Sequence, residues 1–205
     1  IVDDEVVREA SRQEIVRRYY KAGCDYKLGR EDIATVEKIE VIMKQAGITP
    51  AIRRVVCYAL EKMSACGAPA TAIQLEGGPV ITGKESELMS SGASVLLNSI
   101  KALAGLADEI HLISPIVLEP IMRLKNEQFG SPHTPLTAEE VLIALSISAA
   151  TNPVAEMAMS KLSELQNCEA HSSYMMSQAD ESVFRKLKIN LTCESEYRSK
   201  NLFFV

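Results

Sequence analysis

The sequence predicts an α+β fold: a helical hairpin followed by a mostly helical domain with a small mixed or antiparallel β-sheet. Three observations predict it. Two stretches with strand character, 70–83 and 168–195, flank a long helical middle. The packing residues are Leu, Ile, Val, Ala and eight Met, with 5% aromatics and no Trp. Such a composition suits helices packed through aliphatic ridges better than an aromatic-rich sandwich. Residues 1–46 alternate charge with few apolar positions, so this first segment is short of core and needs a surface to pack on.

The elements follow in order. Residues 3–22 read as a helix, with Asp3, Asp4 and Glu5 at its positive end and Val6, Ala10, Val16, Tyr19 and Tyr20 near helical spacing. A turn carrying Gly23 and Gly29 leads to a second helix over about 30–46, stopped by Gly47. Thr49-Pro50 pairs an N-cap hydroxyl with proline at the first helical position and opens a third helix ending near Gly67. Ala70–Glu76 and Pro79–Gly83 read as a β-hairpin around a two-residue Gly77-Gly78 turn, with Pro79 starting its strand or lying at an edge. Helix returns over about 85–106, and Ser114-Pro115 starts another in which Pro120 introduces a bend. Residues 130–135 carry loop chemistry. Thr137 to Glu140 form a capping box ahead of the most apolar helix, Val141 to Ala150, and Asn152-Pro153 starts one more, to about Leu165. Strand (168–176), helix (180–188) and strand (190–195) close the chain. The expected division is a hairpin over 1–46 and an α+β domain over 47–205.

Composition excludes several classes. A 47% apolar content beside 24% charged residues supports a buried core and excludes disorder. A net charge of −5 with no basic stripe argues against nucleic acid as a partner; Arg8, Arg12, Arg17, Arg18 and Lys21 alternate with acids and read as a solvated helix face. No apolar run reaches the roughly 20 residues of a membrane span. Five scattered cysteines without a Cys-x-x-Cys pair point to reduced thiols and a cytoplasmic location. The chain opens Ile1-Val2-Asp3-Asp4 without Met, directly on a helical pattern, and is expected to be part of something longer.

Gly78-Pro79-Val80-Ile81-Thr82-Gly83-Lys84 has the spacing of a phosphate-binding loop, but Glu85 stands where Ser or Thr should hold magnesium, and the intervening residues read as strand. We reject that reading. The notable cluster is Cys168-Glu169-Ala170-His171-Ser172-Ser173, echoed at Thr192-Cys193-Glu194-Ser195. In a strand, Glu169, His171 and Ser173 share one face, with Cys168, Ala170, Ser172 and Tyr174 on the other. Glu169 beside His171 could fix a tautomer for acid–base work, with Ser172, Ser173 or a cysteine as nucleophile. Cys168, His171 and Cys193 could instead make a soft metal site if the last two strands pair. The plain alternative is a solvated strand face with cysteines as core filling.

Gln45-Ala46-Gly47-Ile48-Thr49-Pro50, the run Glu140 to Pro153, Cys168 to Ser173, and Phe184 to Glu194 resemble the C-terminal part of the bacterial proteins grouped as "domain of unknown function 1846"; Val2 to Glu5 and Arg17 to Tyr20 are also similar. The resemblance covers nearly the whole chain. It implies roughly the C-terminal two-fifths of a protein with more than one domain, whose N-terminal part carries a glycine-rich, nucleotide-binding-like loop. It supplies no reaction, and the cofactor stays unknown. Two functional classes stay open. One is an assembly and interaction domain, forming a homo-oligomer and packing on its own N-terminal domain. The other is a domain closing the substrate site of a nucleotide-dependent enzyme, with Glu169, His171, Ser172 and Ser173 at that site.

Overall fold

Four strands, β1 (Ala70–Gln74), β2 (Val80–Lys84), β3 (Glu169–Ser172) and β4 (Asn190–Cys193), form one sheet in the order β2-β1-β3-β4. The computed structural model describes residues 4–129 and 134–198. β1 pairs antiparallel with β2 and with β3, while β3 and β4 run parallel, so the sheet is mixed. A parallel pair needs a crossover. Helix α8 (Gln178–Lys186) supplies it, and its Ser177 cap hydroxyl accepts from Asp180 N at 3.1 Å.

Alternation along the strands sends neighbouring residues to opposite faces. Ile73 and Ala170 enter the main core with Val95, Leu96 and Ile100 of α4 (Ser91–Leu103), Val141 and Leu145 of α6 (Ala138–Ala149), and Phe184 of α8. Ala72 turns the other way, onto Val55 and Ala59 of α3 (Arg54–Cys66). On that second face α1 (Asp4–Lys27) packs against β4 and against α2 (Ile33–Gln45). Val16, Tyr20, Met43, Ile48 and Val56 make a smaller core there. The α+β architecture is as the sequence predicts.

Local differences have physical causes. α1 continues through Gly23 to Lys27, beyond the expected stop near residue 22. A Cβ on Gly23 would already stand 3.3 Å from Ser195 Cβ, so glycine here permits close packing instead of ending the helix. The start at Thr49-Pro50 gives only a 3-10 turn, Pro50–Ile52. Arg53 then adopts extended backbone (φ −88°, ψ 101°) before α3 begins, and that break turns its side chain toward the sheet. The β-hairpin loop has three residues, Glu76 to Gly78, closed by Leu75 N donating to Pro79 O (3.1 Å), instead of a two-residue turn. β2 lies at the sheet edge, where Pro79 costs no ladder bond.

The helix expected from 85 starts only at Ser91. The Ser86 hydroxyl accepts from the backbone of Leu88 and Met89, and residues 88–90 bond to Leu136 on both sides, which holds the segment extended. The capping box at Thr137 and Glu140 forms, and Asn152 Oδ1 caps α7 (Pro153–Ser160). Pro120 lies inside α5 (Pro115–Glu127). The loop reading at 130–135 falls mainly on residues 130–133, outside the described residues, as does the start of the first helix at residue 3. No helix among the described residues is long and apolar enough to cross a membrane.

Candidate functional site

The polar face of β3 is buried, not solvated. α1 and α3 cover it, and the His171 and Arg53 side chains are fully excluded from solvent. Arg53 reaches this face because of the backbone break that precedes α3. Its Nη2 donates to Glu169 Oε2 at 2.5 Å, to Asn190 O at 3.2 Å and to Ala170 O at 3.4 Å, and its Nη1 donates to Thr192 Oγ1 at 2.6 Å.

Glu169 is saturated. Beside Arg53, its carboxylate receives Arg17 Nη2 (3.0 Å) and Asn190 Nδ2 (3.0 Å) on Oε1, and Arg17 Nε (3.4 Å) on Oε2. Those donors occupy the roughly four lone-pair positions of a carboxylate. Arg17, read from sequence as part of a solvated face, is therefore corrected: it bridges α1 to β3. Charge alternation along a helix cannot tell a solvated arginine from one that meets an acid distant in sequence.

His171 lies in register with Ala72 and with Thr192. Its Nδ1 is 2.9 Å from Thr192 Oγ1, and its Nε2 is 3.3 Å from Glu194 Oε1, which also accepts from Tyr20 OH at 3.1 Å. Counting protons fixes the tautomer. An ionised Glu194 only accepts, so a neutral His171 carries its proton on Nε2. Nδ1 then accepts from the Thr192 hydroxyl, whose one proton is shared with Ala170 O at 3.2 Å and whose oxygen in turn accepts from Arg53. The result is one directed chain from Arg53 through Thr192 and His171 to Glu194, with Tyr20 donating from the far side. The Tyr20 and His171 rings stack at a tilt, centroids 4.7 Å apart.

The electrostatics agree with this assignment. Burial pushes the His171 imidazole below its ordinary value against the pull of Glu194, and Arg53 pushes it down further. Burial alone would raise Glu194, but the hydrogen bonds from His171 and Tyr20 overcome it and leave the carboxyl below its usual range. Burial, then Glu194, pushes the Tyr20 phenol up. Burial also lowers Arg53, with Glu169 opposing.

The two serines go elsewhere. Ser173 Oγ accepts from Ala70 N at 2.9 Å and extends the β1–β3 pairing. Ser172 occupies the opposite strand face and lines a cavity of about 120 Å³ with Ser91, Tyr174, Asp180, Glu85 and Arg198. There Arg198 pairs with Glu85 at 2.7 Å, and Asp180 Oδ1 accepts from Ala138 N at 2.6 Å. Neither serine is a hydrogen-bond partner of His171.

Cys168 belongs to the main core, on the face of β3 away from His171. Cys193 is paired in register with Ser172, and burial pushes its thiol up to about 12. Among the described residues no group of three or more His, Cys, Asp or Glu is placed to hold a metal ion. Sequence reading missed Arg53 and Tyr20 as partners of the cluster. Glu194 and Thr192 had a signal, the Cys-Glu echo, although the register does not align its two copies: Cys193 pairs with Ser172, four residues beyond Cys168. Arg53 had none.

A family model for the N-terminal part of domain of unknown function DUF1846 matches residues 1–47, and one for its C-terminal part matches residues 51–203. The chain belongs to this family. It is 48% identical to a UPF0371 protein of Clostridium tetani (strain Massachusetts / E88), 46% to one of Clostridium botulinum (strain Eklund 17B / Type B) and 45% to one of Clostridioides difficile (strain 630). In each case the match covers all of this chain and 42% of the relative. The boundary between the two family models falls between α2 and α3, close to the stretch whose backbone break sends Arg53 into the sheet.

Proposed function

We propose that this chain is the C-terminal assembly and interaction domain of a larger two-domain protein that self-associates, with residues 1–46 as the hairpin that contacts the rest of the protein. The observation that carries this reading is the closed polar network. Glu169 has no lone pair to spare and both His171 nitrogens are engaged, so these groups act as a fastener between α1, α3 and the sheet. The hairpin fastened there leaves Ile33, Val41 and Ile42 of α2 exposed. Apolar side chains on an outer helix suit contact with a further protein surface. The relatives' greater length supports the presence of one.

The test is light scattering on the full-length protein. A dimer or a multiple of it, reduced in mass by Val41→Asp with Ile42→Asp, is expected. A strictly monomeric full-length protein rejects self-association.

A second reading, a domain closing the substrate site of a nucleotide-dependent enzyme, draws on Ser172. Its cavity opens beside the carboxyl ends of the parallel strands β3 and β4, where open α/β sheets bind ligands. Under this reading His171→Ala and Ser172→Ala in the full-length protein alter nucleotide binding or turnover. Unchanged binding and turnover in both variants rejects it.

A further inference from the structure

Three cationic side chains are buried among the described residues: Arg53, Lys101 and Lys125. Arg53 faces Glu169, and Lys125 Nζ pairs with Glu140 at 2.7 Å. Lys101 differs. Only 8% exposed, its Nζ donates to the backbone carbonyl of Asp108 at 2.5 Å, and no carboxylate lies within 4.0 Å among the described residues. An ammonium whose protein partner is one neutral oxygen keeps hydrogen-bonding capacity and charge for an anion.

Lys101 also lines a cavity of about 360 Å³ between the end of β2, α4 and the segment 108–113. The volume lies within the range of small-molecule sites. Asn98 and Ser94, one and two turns before Lys101 on the same helix, line it too, as do Lys84 at the end of β2 and His111. Leu97 and Ile110 contribute apolar surface. The lysine closing the rejected phosphate-loop spacing thus stands exposed at the rim of a cavity whose other cation, Lys101, has no carboxylate partner among the described residues. Asp108 is exposed in the same lining and meets Lys101 through its carbonyl.

We propose that this cavity binds a small organic anion, its carboxylate or phosphate seated on Lys101 and its apolar body against Leu97 and Ile110. The anion supplies the missing counter-charge. Lys84 adds a second, solvated cation that draws the ligand in. The site is separate from the His171 network, which lies on the other face of the sheet, so its test is independent of the assembly reading.

The experiment is thermal unfolding of this chain with hexanoate, phenyl phosphate, hexanol, or sodium chloride at matched ionic strength. A rise in midpoint with hexanoate or phenyl phosphate, and none with hexanol or chloride, is expected; the stronger anion identifies the head group. Backbone amide shifts at Ser94, Asn98 and His111 should accompany it. Lys101→Met should abolish the response, and Lys84→Ala, at an exposed position that folding does not need, should weaken it several-fold. If Lys101→Met does not fold, the Lys84→Ala titration and the amide shifts decide. No response to either anion overturns the site. So does an equal response in Lys84→Ala with no shift at Ser94 or Asn98. A response that persists in folded Lys101→Met overturns it as well.

Discussion

Arg53 and Glu169, 116 residues apart, meet at 2.5 Å with the arginine side chain fully buried. The pair fixes the start of α3 against β3, and Arg17 adds α1 from the other side of the same carboxylate. Glu169→Gln leaves two guanidinium groups facing each other with no anion between them. A loss of about 2 kcal/mol or more is expected, below the cost for a wholly buried pair because Glu169 keeps 28% exposure. Urea unfolding at neutral pH measures it, and Arg53→Met with Glu169→Gln together should cost less than the sum of the two. Additive losses would show that the two residues act separately.

Acid should weaken the fold in two stages. Burial depresses His171 below 6.5, so the unfolded chain binds this proton more readily than the native one. Its contribution is complete above about pH 6.5 and is lost as pH falls from there through the depressed native value. Glu194, held below 4.5 by His171 and Tyr20, adds a second loss once pH drops below about 4.5. Unfolding free energies at pH 7.5, 6.0 and 5.0 should fall in sequence, and His171→Gln should flatten that slope. A wild-type protein that gains stability over this range would contradict the buried neutral tautomer.

Gly83 of β2 faces α4 so closely that a Cβ there would overlap the backbone nitrogen of Val95. The obstacle is main chain, which no rotamer change can move. Asn98 Nδ2 donates to Thr82 O at 2.9 Å and locks the same contact. Gly83→Ala should cost about 3 kcal/mol or more, read as a large fall in melting temperature or as loss of soluble protein. A change within a degree or two of wild type would mean that β2 and α4 can separate freely.

Cys24 and Cys193 should be chemically quiet. Burial pushes both thiols up to about 12, so little thiolate exists at pH 8. Iodoacetamide labelling of native protein, followed by peptide mass spectrometry, should leave both unmodified until the protein unfolds. Rapid labelling of either residue would refute the burial that raises these thiols.

The cluster at 168–173 shows how far a sequence reaches into a site. The period of two in a strand set Glu169 and His171 on one face and Ser172 on the other, and the structure keeps that division. What lies opposite each face is a matter of tertiary packing. A polar strand face reads the same whether water or helices cover it, so the enclosure of His171 carried no local signal. Arg53 is the clearest case, since its role depends on a one-residue backbone break between two helical turns.

Local chemistry by itself determined much of the rest. The Thr137–Glu140 capping box, the Asn152-Pro153 start, the glycine stop after α3 and the two strand regions follow from short-range sterics and hydrogen bonding, which act within a few residues. Tertiary structure decided the strand order, the parallel pairing of β3 with β4, the continuation of α1 through Gly23, and which charged groups found partners. These depend on contacts between residues distant in sequence, 21 residues apart for β3 with β4 and 152 for Arg17 with Glu169. There one arginine with a matching carboxylate is held in the core, and one lysine with no carboxylate partner among the described residues is left beside a cavity.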